Sequence, residues 1–252
     1  DSVSVNAGYS HQSYYSLSAG EVSNVISNNW DLAFDASGYG SSIRINAALG
    51  TELYQYPSGD TNNWATLDTT GILSWPKHYN DDASWSKGAF NQTSDGSLDQ
   101  GWGDYSMITH HITGDSLYVI KLSSGNWKKI WVQKLASGTY SFKHANIDGT
   151  GEINASVQKA NFAGKNFAYY SLENDTLIDR EPDNTTWDLV FTKYVSEVAP
   201  GMPYGVTGIL SNSGVELSKA ENLTTPKTYS NHSAHTFLTE INIIGYDWKT
   251  FN

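Results

Sequence analysis

The chain contains no cysteine, only two methionines and six prolines, and only two arginines, Arg44 and Arg180, among its 252 residues. Without cysteine there are no disulfides, no thiol chemistry and no lipidated N-terminal cysteine. A net charge of −11 with Lys and Arg sparse and unclustered argues against nucleic acid, because phosphate recognition needs gathered cations. No apolar run approaches the roughly 20 residues of a membrane-spanning helix. Nor does the chain carry HExxH, GxSxG or the phosphate-cradling GxxxxGK[ST] pattern. Its carboxylates are scattered, so no acid/base pair stands out. It reads as non-enzymatic, with a hydrolase of unidentified carboxylates as the lower-ranked alternative.

What is abundant is aromatic residues, at 13%, together with Gly, Ser, Thr and Asn, the profile of an all-β extracellular protein. Short β-branched or alternating segments fall at 42–49, 116–122, 127–135, 139–147, 186–195, 204–211 and 240–248. The turn SSGN (123–126) joins the second and third of these as a hairpin. Little helix is expected; the modest candidates are 154–163 and 216–222. Residues 57–106 are polar and rich in Gly and Trp, which reads as functional loops or a loop-rich insertion reaching to about 115.

The strongest feature is a phrase written twice. YYSLSAGEVSNVISNNWDLAF at 14–34 returns as YYSLENDTLIDREPDNTTWDLVF at 169–191, and GTEL at 50–53 as GVEL at 214–217. One long-period repeat means two related β units, not a solenoid. Residues 1–150 form the first unit with its insertion, and 151–252 a second, partial copy. Trp30 and Trp187 are expected to anchor the two cores, while Asp31 and Asp188 face the other way and satisfy turn amides.

Several smaller patterns have two readings. NIDGTGEIN places Asn146, Asp148, Thr150 and Glu152 at alternate positions, like the start of a calcium loop. The closing glutamate of such a loop would fall at Val157, so a Gly-rich turn between strands is the stronger reading. His110 and His111 are adjacent and point to opposite faces if extended. His232 and His235 have the i,i+3 spacing of a weak zinc site. Trp64, Trp75, Trp85 and Trp102 either line a flat ligand's pocket or stack on sugars, or they fasten long loops to the sheet.

The phrases YYSLSAGEVSNV, NNWDLAF and IRIN resemble the opening of the HmuY family, surface haem-binding proteins of Bacteroidota. In that family a "Y.S...GEV.NV" strand precedes an "NWD.A" strand and an "R.N" strand. The hairpin at 116–135 is similar to the family's later strand pair. The resemblance implies an antiparallel all-β fold and haem iron held between two axial His or Met side chains from loops. The family's W..FSH run corresponds to WGDYSM, which puts Met107 at a ligand position. The resemblance places the partner at His78 in WPKHYN, with His110 as fallback, and Trp75, Trp85, Trp102 and Tyr105 walling the porphyrin. IGYDWKTF at 244–251 resembles the end of the folded region in type IX secretion cargo. That implies a secreted or outer-surface protein, after loss of a signal peptide and a C-terminal sorting domain, whose partners are the type IX machinery or an outer-membrane surface protein. The alternative is a surface protein without haem, binding glycan or protein partners in an adhesive or structural role.

Overall fold

The computed structural model describes residues 2–199, 201–221 and 223–248. The chain is all-β. In chain order the strands are β1 (His11–Ser16), β2 (Gly20–Ile26), β3 (Leu32–Asp35), β4 (Ile43–Ile45), β5 (Glu52–Gln55), β6 (Lys77–His78), β7 (Gly103–Tyr105) and β8 (Ile112–Gly114). They continue with β9 (Tyr118–Lys121), β10 (Trp127–Ala136), β11 (Thr139–Asn146), β12 (Ile153–Gln158), β13 (Phe167–Ser171), β14 (Thr176–Ile178), β15 (Leu189–Ala199) and β16 (Met202–Ser211). Among the described residues the only helices are short 3-10 turns, and no helix is long and apolar enough to cross a membrane.

Three antiparallel sheets result. Two have four strands, in the orders β16-β15-β1-β2 and β14-β13-β3-β4; the third runs β12-β11-β10-β9-β5-β6, with β8 and β7 added beside β10. The period-two alternation of strands explains how they stack. In the β14-β13-β3-β4 sheet, Leu32, Phe34, Ile43, Ile45, Ala168 and Tyr170 face the eight-stranded sheet and pack on Tyr118, Ile130, Tyr140 and Phe142. The alternate residues Ala33, Phe167 and Tyr169 face the other way, with Trp30 and Trp85 against them. Above them lies the face of the β1-containing sheet that carries Tyr14, Trp187, Val190 and Leu210. Trp85 packs with both groups and so bridges the two four-stranded sheets. Strands β3, β4 and β13 of the middle sheet are covered on both faces and read LAFD, IRI and FAYYS with every residue buried, while β14 at its edge stays largely exposed. Outside the eight-stranded sheet, the 56–75 loop is fastened by Trp64 and Trp75 onto Leu117, Val119 and Ala145.

The two copies of the repeat exchange strands. The first copy's YYS strand pairs with the second copy's WDLVF strand, Tyr14 opposite Val190 and Tyr15 opposite Leu189. Reciprocally, the second copy's YYS strand pairs with the first copy's WDLAF strand, Tyr169 opposite Ala33 and Tyr170 opposite Leu32. Since Val190 is the counterpart of Ala33 and Leu189 of Leu32, the registers are the same. Each four-stranded sheet is thus half one copy and half the other. The segments 1–150 and 151–252 complete each other's sheets, and β12 at 153–158 extends the sheet of the first segment.

The aspartates of the repeat lock this exchange, as expected of turn-capping residues. Asp31 accepts from the amides of Leu172 at 2.8 Å and Glu173 at 3.4 Å in the other copy. Asp188 accepts from the Leu17 amide at 2.7 Å. A further pair escaped the sequence comparison. Asn46 Nδ2 donates to the Ser27 and Trp30 carbonyls, and Asn212 Nδ2 donates to those of Asn184 and Trp187. IRIN at 43–46 is therefore matched by ILSN at 209–212.

Three expectations change. Residues 154–163 are β12 followed by a 3-10 turn at Lys159–Phe162, because Thr139 to His144 of β11 offer 153–158 a ladder that outweighs helical propensity. At 216–222 there is no helix in the described residues; Leu217 makes a β-bridge to Leu238. The 240–248 segment is not a strand but lies along β16, touching it by a bridge between Ile209 and Gly245. That approach needs Gly208, where a Cβ would stand 2.3 Å from the Gly245 carbonyl oxygen. Of the IGYDWKTF ending, Lys249 to Phe251 lie outside the described residues.

The two caps differ in burial, and burial sets their worth. Asp31 is 5% exposed, and its removal leaves two amides without an acceptor in a dry site. Asp31→Ala is expected to cost about 3 kcal/mol and Asp188→Ala about 1 kcal/mol, measured by urea unfolding. Equal losses would mean that burial does not distinguish the two turns.

Candidate functional site

Between the middle sheet and the β1-containing sheet the packing is incomplete, where equivalent residues of the two copies face each other. Tyr14 stands edge-on to Trp187 with ring centroids 4.8 Å apart, and its counterpart Tyr169 stands edge-on to Trp30 at 5.1 Å. The two tyrosine hydroxyls hydrogen-bond to each other, and Gln12 Nε2 donates to Tyr14 Oη at 2.8 Å. Around these rings lies a cavity of about 80 Å³. Its apolar wall includes Ala33, Trp85, Phe167, Val190 and Leu210, and its polar lining Arg44, Asn166 and Glu181. A polar groove of about 640 Å³ shares Asn80, Asp82 and Val195 with the cavity and so meets its rim.

The chain's two arginines are both buried here. Arg44 follows from the alternation of IRI: its neighbours Ile43 and Ile45 fill the central core, so its side chain emerges on the cavity face. The guanidinium donates to the carbonyls of Ser84 and Asp81, both at 2.8 Å, and lies 4.9 Å from the Trp85 ring centroid. Burial pushes its pKa down to about 10, which leaves it charged at neutral pH. Arg180 stacks over Tyr169 at 4.9 Å and Trp30 at 5.7 Å, and donates to the Ile26 carbonyl at 2.6 Å. The loop that encloses Arg44 is held on the free edge of β4 by amide side chains in place of a strand. Asn80 bonds both the amide and the carbonyl of Ile45, and Asn91 Oδ1 accepts from the Ile43 amide. Gly88 lets the loop approach, since a Cβ there would fall 2.0 Å from the Ile43 carbonyl oxygen.

Four donor atoms in this region are buried without an acceptor among the described residues: Trp30 Nε1, Trp187 Nε1, and Arg180 Nε and Nη1. The Tyr194 hydroxyl is likewise unpartnered. Glu181, 3% exposed, accepts from the amides of Asn166 and Phe167, each at 3.1 Å, and from Tyr169 Oη at 3.2 Å. Burial nevertheless raises its pKa to about 7, the hydrogen bonds and Arg180 pulling the other way.

Of the residues expected from sequence, only Trp85 lines this cavity, and its Nε1 donates to the Ser211 carbonyl at 2.8 Å. His78 is 4% exposed, with Nδ1 3.2 Å from the Ala89 carbonyl oxygen and its ring beside Tyr118. Met107 is 66% exposed on the turn between β7 and β8. On that same turn His110 bonds the Tyr105 hydroxyl at 2.7 Å. Trp102 is wholly enclosed in the central core and donates to the Ser41 carbonyl, while Trp75 packs on Tyr56 outside the eight-stranded sheet. The four expected wall residues are thus dispersed, and Trp64, Trp75 and Trp102 act as fasteners. Neither His78, Met107 nor His110 lines the cavity or the adjoining groove.

The 146–152 segment is a turn between β11 and β12. Asp148 Oδ1 accepts from the amide and hydroxyl of Thr150, Asn146 bonds Thr150, and Glu152 turns away to accept from Trp64 Nε1 at 2.6 Å. His232 and His235 bond the Ser230 carbonyl and the Tyr229 hydroxyl respectively. Among the described residues no three His, Cys, Asp or Glu side chains are grouped to hold a metal ion. Sequence reasoning missed Gln12, Asn166 and Glu181, which carry no local pattern; the scarcity of arginine was the one available signal for Arg44 and Arg180.

No protein-family model, curated protein or solved structure matches the chain.

Glu181 gives the stability a defined pH dependence. Its pKa rises on folding from the ordinary 4.5 to about 7, so between these values the folded state keeps a proton that the unfolded state has lost. Its contribution is fully present below about pH 4.5 and falls as pH rises to about 7, by on the order of 3 kcal/mol. Unfolding midpoints should decline across this window in the wild type and flatten in Glu181→Gln. A wild-type midpoint that rises through the same window, with no difference from the variant, would refute the assignment.

Proposed function

We propose that the chain is a non-catalytic binding protein of secreted or cell-surface, HmuY-like kind, whose ligand is a small molecule held where the two repeat copies meet. The observation that carries this reading is the aromatic-walled cavity together with two equivalent indole N–H groups, on Trp30 and Trp187, that no atom of the described residues accepts from. Buried polar groups in native proteins are nearly always partnered. An apolar cavity with a few convergent polar groups is the usual form of a small-molecule site. The adjoining groove, with Lys77, Asp81, Lys87 and Glu197 along it, provides the approach.

Haem capture has less behind it. Its three candidate ligands stand apart from the cavity, and His78 would have to leave the Ala89 carbonyl and the Tyr118 ring to reach iron. The glycan alternative loses its exposed aromatic platform, because Trp64 and Trp102 are buried and Trp75 packs beside Tyr56.

The test is a screen of small aromatic compounds by tryptophan fluorescence and thermal shift, with Ala48→Trp as a plug. Ala48 lines the cavity and is only partly buried, so the larger side chain fills space without disturbing the central core. Wild type should bind one molecule per chain, and the plugged variant at least about tenfold more weakly, a loss of about 1.4 kcal/mol or more. A haemin titration runs alongside. A sharp low-spin Soret band weakened by His78→Ala or Met107→Ala, with Ala48→Trp unaffected, would move the function to the loops.

A further inference from the structure

The chemistry of the cavity narrows what it takes. Resting on the binding reading above, we infer that its ligand is a small planar molecule bearing a carboxylate, whose oxygens accept from the indole N–H groups of Trp30 and Trp187 while its ring lies on the aromatic walls.

Two features decide between an acceptor-bearing ligand and its opposite, an amine in an aromatic cage. First, among the described residues that line the cavity, the unpartnered atoms are the donors Trp30 Nε1 and Trp187 Nε1 and the Tyr194 hydroxyl, which can act in either sense. Arg180 Nε and Nη1 lack acceptors beside it, and Asn29 Oδ1, next to Trp30 in the chain, is an unpartnered acceptor outside the lining. A ligand that satisfies them must bring oxygen lone pairs, and an ammonium brings none. Second, the π faces that would cage a cation are already used by the chain's own cations. Arg44 covers Trp85, and Arg180 covers Trp30 and Tyr169. Among the described residues neither arginine has a carboxylate within ion-pair distance. Backbone carbonyls support both guanidinium groups, so their charge is available to an anion in a water-poor setting, where it counts for more than at the surface.

The opposing charges are few. Glu181 and Asp82 line the cavity, against Arg44 and Lys193, with Arg180, Tyr14 and Tyr169 facing Glu181. Near neutrality the buried Glu181 carboxyl is largely protonated or evenly divided between its two forms, so it repels a carboxylate less than a surface glutamate would. A cavity of about 80 Å³ is roughly half the ~150 Å³ that encloses a benzene ring, so the carboxylate end of the ligand is enclosed and its ring reaches toward the adjoining groove.

Three probes of the same shape separate the possibilities: benzoate, benzamide and benzylamine, titrated calorimetrically near neutral pH. Benzoate is expected to bind one per chain and at least about tenfold more tightly than benzylamine, with benzamide between. Trp30→Phe and Trp187→Phe, which remove the donor and keep an aromatic wall, should each weaken benzoate about five- to tenfold and change benzylamine little. Glu181→Gln, which leaves the walls intact, should tighten benzoate above neutral pH. It keeps the inference testable if the tryptophan variants fold poorly. Benzylamine binding more tightly than benzoate would overturn the carboxylate assignment while leaving the site in place. Failure of all three probes, when other aromatic compounds bind and Ala48→Trp blocks them, would do the same. If no compound of any charge binds, the cavity holds water only and the binding reading itself falls.

Discussion

The carboxylate of Asp31, set among the amides of Leu172 and Glu173, joins a strand of the first repeat copy to a turn of the second, and the architecture depends on that tie. Its counterpart at Asp188 holds the reciprocal turn at Leu17. Between them the two aspartates fix the register in which each copy lends its YYS strand to the other's sheet. Desolvation raises the Asp31 pKa and the bonded amides oppose it, so an ionised carboxylate is stable there only while those amides stay in place. The tie is strong in the folded chain because it has no solvent substitute.

From the exchange follows a middle sheet in which β3, β4 and β13 have no exposed face. A strand buried on both sides has to carry large side chains in both directions. On the side facing the eight-stranded sheet this produces dense packing of Phe34 against Tyr140 and Phe142. On the other side the equivalent tyrosines, Tyr14 and Tyr169, meet each other across two copies of one sequence, with Trp187 and Trp30 beside them. Two like surfaces brought together do not interdigitate as two complementary ones do, and the space left between them is the cavity. The cavity at this place is a product of the duplication, with Arg44 and Glu181 as the residues that break the likeness: the position matching Arg44 is Leu210.

Much of the fold was legible in the sequence because it rests on local pattern. The hairpin at 116–135 and the Asp148 turn formed where alternation and turn chemistry placed them, whereas Trp30 and Trp187 line the cavity between the copies and do not anchor a separate core in each. What escaped depends on partners far along the chain. Alternation puts Trp102 and Tyr105 on opposite faces of an extended segment, but not which face is core; only the assembled sheets decide that Trp102 is enclosed. The segment at 153–158 has a helical look, overridden by an adjacent strand. Asn46 and Asn212 perform identical tasks, yet IRIN and ILSN differ at the two positions between their shared ends. Glu181 sits in an ordinary run of polar residues, and its buried state follows from the exchanged strands.

Strand exchange also governs the order in which this molecule can come into being. The hydrogen bond from Leu17 to Asp188 spans 171 residues, and that from Leu172 to Asp31 spans 141. Loop closure over such distances must be met before either four-stranded sheet gains its central pairing, which makes folding slow and strongly non-local. A chain emerging from the ribosome cannot close its first sheet until the last third has been made.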